Sequence, residues 1–290
     1  MTSAPLRLAL AAASEGRPVP ADLYTSAHPA RRPGLVLVHG LAGAGKDDPR
    51  VAEAAALLAR AGWTVAVPSV EGLMRLRLRA EDAGAVRAAA SALRDAGSRP
   101  IALLAVSVGA GPALAAAADP AVAAELSAVM TLGGYASARE LLRVTLTGGA
   151  ATGRRPDEAA IAAFVAANAD LVEEVGRRLA DNRDPAAVDA LLARLPPPTQ
   201  RLLDALSPER WVRGGRAPLF LVHGHDDPAV PVTESARLAE AASRAGREAR
   251  LVVVGAVGHV EPGTGARLTD LARLAGCFYA FAVTSARSAP

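Results

Sequence analysis

Short apolar runs recur along this chain and alternate with longer segments that read as helices. A chain of this kind is driven toward a mainly parallel sheet covered by helices on both faces, because only such a sheet buries strands that are apolar on both sides. The runs lie at residues 35–38, 64–67, 101–106, 128–132, 219–222 and 251–254, and residues 19–25 read as a leading edge strand. Helix signals fall between them. Asp48-Pro49 supplies an N-cap followed by proline at the first helical position, and Gly62 closes that helix. A second helix spans about 81–96 and stops at Gly97, an alanine-rich one follows Ser107, and others cover 234–245 and 267–283. The expected fold class is α/β, with a doubly wound, mainly parallel sheet.

The alternation stops at Ser137. From there to Arg210 no strand is expected, and helical segments read at 138–146, 156–179, 185–195 and 200–206. Gly148-Gly149, Asp184-Pro185 and Pro196-Pro197-Pro198 punctuate them. This predicts an all-helical insertion over 137–210 in a core formed by 1–136 and 211–290. No repeat or low-complexity linker divides the 290 residues further, and 51% hydrophobic residues suffice for one large packed domain.

Several function classes are disfavoured. The single cysteine, Cys277, rules out an internal disulfide framework and fits a reducing compartment, and no paired Cys or Cys/His spacing offers a structural zinc site. The net charge of +3 rests almost wholly on arginine, Lys46 being the one lysine, with acids interleaved throughout, so no nucleic-acid face is expected. Residues 1–13 form a poor secretory signal, an apolar run broken by Arg7 with no basic segment ahead of it. The uncharged stretch 100–118 is long enough to cross a bilayer, yet it carries Ser107, Gly109, Gly111 and Pro112 and is mostly alanine in its second half. A strand, a sharp turn and a helix fit it better. A cytoplasmic protein without a membrane span, metal or organic cofactor is expected.

The chemistry concentrates at three strand ends. Ala105-Val106-Ser107-Val108-Gly109 places a serine between small residues where a strand turns sharply into a helix. Only small neighbours tolerate so tight a turn, which lifts the hydroxyl to the carboxyl end of the sheet. Leu37-Val38-His39-Gly40-Leu41 ends another strand, and its glycine lets the chain cross toward the serine. The backbone N–H groups of Leu41 and Val108 would then form an oxyanion hole, with His39 as a structural brace. Leu221-Val222-His223-Gly224-His225-Asp226-Asp227 ends a third strand on two acids, either of which can orient an imidazole. After the last strand comes Gly258-His259. The order serine, aspartate, histidine follows three separate strands.

These motifs together resemble the α/β-hydrolase superfamily over residues 35–283, with a helical lid inserted after the sixth family strand. The segment His223-Gly224-x-x-Asp227-x-x-Val230-Pro231 is similar to the family's acid-bearing motif, and this selects Asp227 over Asp226. Gly258-His259 matches the family's histidine loop. Two positions depart from the pattern: Ala105 stands where glycine is usual, and Pro68-Ser69 where relatives often carry Pro-Asp. The resemblance implies a serine hydrolase with Ser107 as nucleophile, His259 as general base and Asp227 as the acid. A carboxylesterase acting on a small, hydrophobic acyl substrate is the first expectation. Thioesterase, lactonase, small-peptide hydrolase or acyltransferase chemistry uses the same triad, and a non-catalytic binding module is the rival from another class. A serine nucleophile argues against the dehalogenase and epoxide-hydrolase branches and against a close dienelactone-hydrolase equivalent. His28, His223 and His225 are expected to be structural or exposed. The alternating 74–79 segment is expected to be extended and exposed, and Gly43 and Gly45 to give a flexible oxyanion loop lacking the spacing of a phosphate-binding loop.

Overall fold

The computed structural model describes residues 5–26, 32–148, 158–168, 174–255 and 268–287. Eight strands form one sheet: β1 (Leu6–Ser14), β2 (Arg17–Thr25), β3 (Gly34–Val38), β4 (Thr64–Pro68), β5 (Ile101–Val106), β6 (Leu126–Leu132), β7 (Leu219–Gly224) and β8 (Ala249–Val254). Their spatial order is β1-β2-β4-β3-β5-β6-β7-β8. The β1–β2 and β2–β4 pairs are antiparallel and every other pair is parallel.

The strands interdigitate with two helical layers because successive side chains point to opposite faces. On β5, Leu103 and Ala105 face one layer while Ala102 and Leu104 face the other. The first layer holds α3 (Ala83–Asp95), α4 (Ala110–Ala117) and α11 (Val232–Arg244); the second holds α1 (Pro49–Arg60) and α12 (Leu268–Ser285). Asp48 caps α1 by accepting the Arg50 amide, as Asp48-Pro49 predicted. In α12, Cys277 and Phe281 are fully buried, and Phe281 meets Phe220 edge-on at 5.6 Å.

The remaining helices are short. Those of the core are α2 (Glu71–Met74) and α5 (Pro120–Ala123), and between β6 and β7 lie α6 (Ala138–Thr147), α7 (Glu158–Ala167), α8 (Glu174–Ala180), α9 (Pro185–Ala193) and α10 (Pro197–Ala205). This inserted group gathers a separate small apolar cluster around Leu146, Ile161, Val188 and Leu192.

Three expectations need correction. The outermost strand is β1, formed by the N-terminal apolar run, so residues 19–25 lie one strand in. Glu15 and Gly16, both at positive φ, make the two-residue hairpin that turns β1 onto β2. Arg7 breaks the run's hydrophobicity without breaking the strand, because it packs on Tyr24 and pairs with Asp22 and Asp47. The segment 156–179 is not one helix: α7 ends before Asn168, whose side-chain amide donates to the Phe164 carbonyl at 2.7 Å. Residues 74–79 are not extended either. They close α2, turn through Leu76 at φ +57, and are largely half-buried.

Candidate active site

At the carboxyl end of β5 the chain enters a single 3-10 turn, Ser107–Gly109, and then α4. Ser107 has φ +54, a left-handed conformation that costs an L-residue about 1–3 kcal/mol. Close packing enforces it. A methyl group on Gly109 would collide with the His39 carbonyl oxygen, and one on Gly40 would lie 3.2 Å from Ser107 Cβ and 3.8 Å from its Oγ. The β3–α1 loop thus rests directly on the serine turn, bringing the Gly40 backbone beside the hydroxyl. Leu41 is half-exposed next to it, and Val108 is buried behind.

His39 braces this loop. Its Nδ1 donates to the Gly40 carbonyl at 2.7 Å, and Nε2 accepts the Val70 amide at 3.1 Å. Burial lowers its pKa, so the ring is neutral, and both nitrogens are committed to backbone. The glycine-rich stretch is anchored as well: Lys46 Nζ lies 3.3 Å from Asp22 on β2, and Gly45 fits over the Met74 side chain with no room for a Cβ.

The two aspartates after β7 have opposite environments. Asp226 is exposed and pairs with His225 at 2.7 Å. Asp227 is buried at 4% exposure; its Oδ1 accepts the amides of Ala229 and Val230 at 2.8 and 2.9 Å, and its Oδ2 lies 3.4 Å from His223 Nε2. A buried carboxylate fed by backbone donors is held in one orientation; an exposed one is free to turn.

Parallel pairing brings these ends to one edge. Val106, Leu132, Val222 and Val252 stand in register across β5 to β8. Ser107 is the next residue after that row on β5, and Asp227 follows the end of β7. The chain leaves β8 at Gly255, whose amide donates to Asp270 on α12. His259 lies outside the described residues, as does His28.

Sequence reasoning gave no role to two other buried acids. Asp82 accepts the amides of Gly72 and Arg79, and burial pushes its carboxyl up to about 6. It borders a cavity of about 30 Å³ between α4, Tyr135 and Trp211, away from Ser107. Glu234 on α11 is fully buried and accepts the amides of Ala136 and Ser137, where the chain passes from β6 into α6. Neither sits in a sequence motif; Glu234 is defined by amides 97 and 98 residues away, Asp82 by amides three and ten residues before it. Among the described residues no cluster of His, Cys, Asp or Glu is placed to hold a metal ion, and no helix is long and apolar enough to cross a membrane.

No protein-family model and no curated protein sequence matches the chain. Solved structures do. A puromycin-hydrolyzing peptidase from Mycobacterium tuberculosis superposes with a TM-score of 0.66 at 20% identity, over 97% of this chain and 39% of its own. An acylaminoacyl peptidase from Pyrococcus horikoshii gives 0.65 at 14%, over 100% and 43%. A dienelactone hydrolase from Anabaena variabilis gives 0.56 at 18%, over 96% and 99%. The chain therefore spans about two fifths of the length of these peptidases and nearly all of the dienelactone hydrolase. At these identities the likeness shows the fold, which is that of the α/β hydrolases.

Proposed function

We propose that the chain is a serine hydrolase acting through Ser107, His259 and Asp227. The observation that carries the reading is the left-handed Ser107 on a tight strand-to-helix turn, pressed against Gly40 at the sheet edge toward which β7 delivers a buried aspartate. A serine serving only as a helix N-cap has no need of that strain, since caps adopt ordinary extended backbone. His259 follows Gly255 by four residues, a tether of at most about 14 Å. Three strand spacings, again about 14 Å, separate β8 from β5, and Asp227 lies on the way.

In this mechanism His259 takes the Ser107 proton as Oγ attacks an acyl carbonyl carbon. The oxyanion gathers the Leu41 and Val108 amides, and Asp227 stabilises the imidazolium. The imidazolium protonates the leaving group as the carbon–leaving-group bond breaks. Water then attacks the acyl-enzyme, giving its proton to His259, and the acid product leaves with Ser107 restored. No metal or organic cofactor enters any step. Helices α6 to α10, inserted over 137–210, act as a lid whose apolar side chains favour a hydrophobic acyl or alcohol group. We place the protein in the cytoplasm, with a small-molecule acyl substrate, no nucleic-acid partner and no membrane span.

Cleavage of a carboxylic ester is the first reading. Amide cleavage is the second, favoured by two neighbours that are named as peptidases. A fluorophosphonate probe should label the wild-type protein and leave Ser107→Ala unlabelled, whereas equal labelling would sink the nucleophile assignment. Comparing nitrophenyl esters of increasing acyl length with aminoacyl anilides then separates the two readings. Ester turnover abolished by His259→Ala would dismiss the binding-module alternative.

A further inference from the structure

We infer that His223 is a positioning residue for the acid of this site, an assignment that rests on the hydrolase reading above and on Asp227 in particular. Its ring is fully buried at the end of β7. Nε2 faces two acceptors, the Val230 carbonyl at 2.9 Å and Asp227 Oδ2 at 3.4 Å. A lone pair there would confront two electron-rich oxygens, so the proton resides on Nε2 and is donated to Val230. Nδ1 is hydrogen-bonded to the hydroxyl of Ser235 on α11, 2.7 Å away. Ser235 is fully buried and fixes the orientation of the ring. Among the described residues, Asp227 from the turn and the uncharged Ser235 from the helix are the side chains within reach of the ring nitrogens.

The turn that carries the acid is gripped on both sides of one residue. Val230 gives its N–H to Asp227 Oδ1 and its carbonyl receives the His223 N–H. Nε2 also lies 3.4 Å from Oδ2 of the carboxylate, while its N–H is given to the Val230 carbonyl. His223 thereby holds Asp227 in the rotamer that its role requires, acting through Val230. It touches no reacting atom and acts through Asp227.

The test uses the full chain, with fluorophosphonate labelling rate and 4-nitrophenyl butyrate turnover as readouts. His223→Leu, which keeps the volume and removes both nitrogens, should lower kcat by roughly 30-fold with KM changed by less than about twofold. The pKa of the imidazole limb in the pH–rate profile should fall, because a displaced carboxylate stabilises the imidazolium less. His223→Gln, which restores an N–H donor near the Nε2 position, should recover most of the loss. In an Asp227→Asn background the His223→Leu change should add nothing, as expected of residues acting as one unit. A folded His223→Leu protein with wild-type kcat and pH profile overturns the proposal, and so do equal further losses in both backgrounds. If His223→Leu does not fold, Ser235→Ala decides: kcat lowered about 3- to 10-fold at constant KM supports the assignment, and unchanged kcat defeats it. Wild-type activity retained by Asp227→Asn, or a wild-type protein that neither labels nor turns over, would instead bring down the parent reading, and this proposal with it.

Discussion

In the middle of the sheet, Leu35, Leu103, Ala105 and Val129 are completely withdrawn from solvent, and each belongs to one of two extended apolar clusters. The inserted helices gather far less: the buried members of their own cluster among the described residues are Leu146, Ile161, Leu179, Val188, Leu192 and Leu195. They are fixed to the core by a few apolar contacts, with Ala138, Leu141, Leu203 and Leu206 packed into the first layer's cluster, and by directional bonds. Glu234 takes the Ala136 and Ser137 amides, and the Ser207 hydroxyl takes the Ala138 amide. Tyr135 donates to the Leu206 carbonyl, and Asn168 joins Arg79 to the Leu76 carbonyl. Apolar burial is non-directional and can build the sheet from composition and pattern alone. Hydrogen bonds fix angle and distance, so a region held by a handful of them keeps its place while adding little to global stability.

Four substitutions press on that contrast. Leu103→Ala, at the centre of β5, should cost about 3–4 kcal/mol and lower the urea midpoint of the whole molecule in one transition. Separate transitions for sheet and insertion would show that the two are less coupled than drawn. Glu234→Ala strands two buried amides and should cost about 2–3 kcal/mol, with hydrogen exchange accelerating first in residues 136–147. Protection lost instead throughout β6 and β7 would make Glu234 part of the core. Asn168→Ala should cost about 1–2 kcal/mol locally, raising exchange in 158–168 and around Leu76 while the global midpoint moves little. A midpoint drop matching that of Leu103→Ala would erase the distinction.

The smallest expected effect is a pH slope. Asp82 has its folded pKa raised to about 6 by burial, so the folded state holds this proton more tightly than the unfolded chain. Its contribution is complete below about pH 4 and is lost as pH rises through 6. Asp82→Asn should flatten the fall in melting temperature between pH 4.5 and 7; an unchanged slope would place its source elsewhere.

The same contrast explains what could be read from sequence. Residues 35–38 and 101–106 are legible because a strand buried on both faces must be apolar at every position, and they became β3 and β5. Ser107 is legible because its turn needs small neighbours, whose reason appears in the Gly40 and Gly109 contacts. Asp226 and Asp227 are neighbours in sequence, and only the fold shows that the first is exposed and the second buried. The strand β1 was missed because its alanines carry no period and its Arg7 needed Asp22 and Tyr24, fifteen and seventeen residues away, to be seen as satisfied. Glu234 takes its meaning from amides 97 and 98 residues away, brought to it by the fold, so no local pattern announces it. The helix break at Asn168 is of the same kind, set by a carbonyl on a loop 92 residues earlier.

The lone thiol has a practical corollary. Cys277 is fully buried on the inner face of α12, where burial also raises its pKa. A water-borne disulfide reagent can reach it only when that helix lifts from the sheet, and can react only with the rare thiolate. The rate of its modification in native buffer is therefore a ready-made clock for the opening of the C-terminal helix, already installed and needing no engineered label.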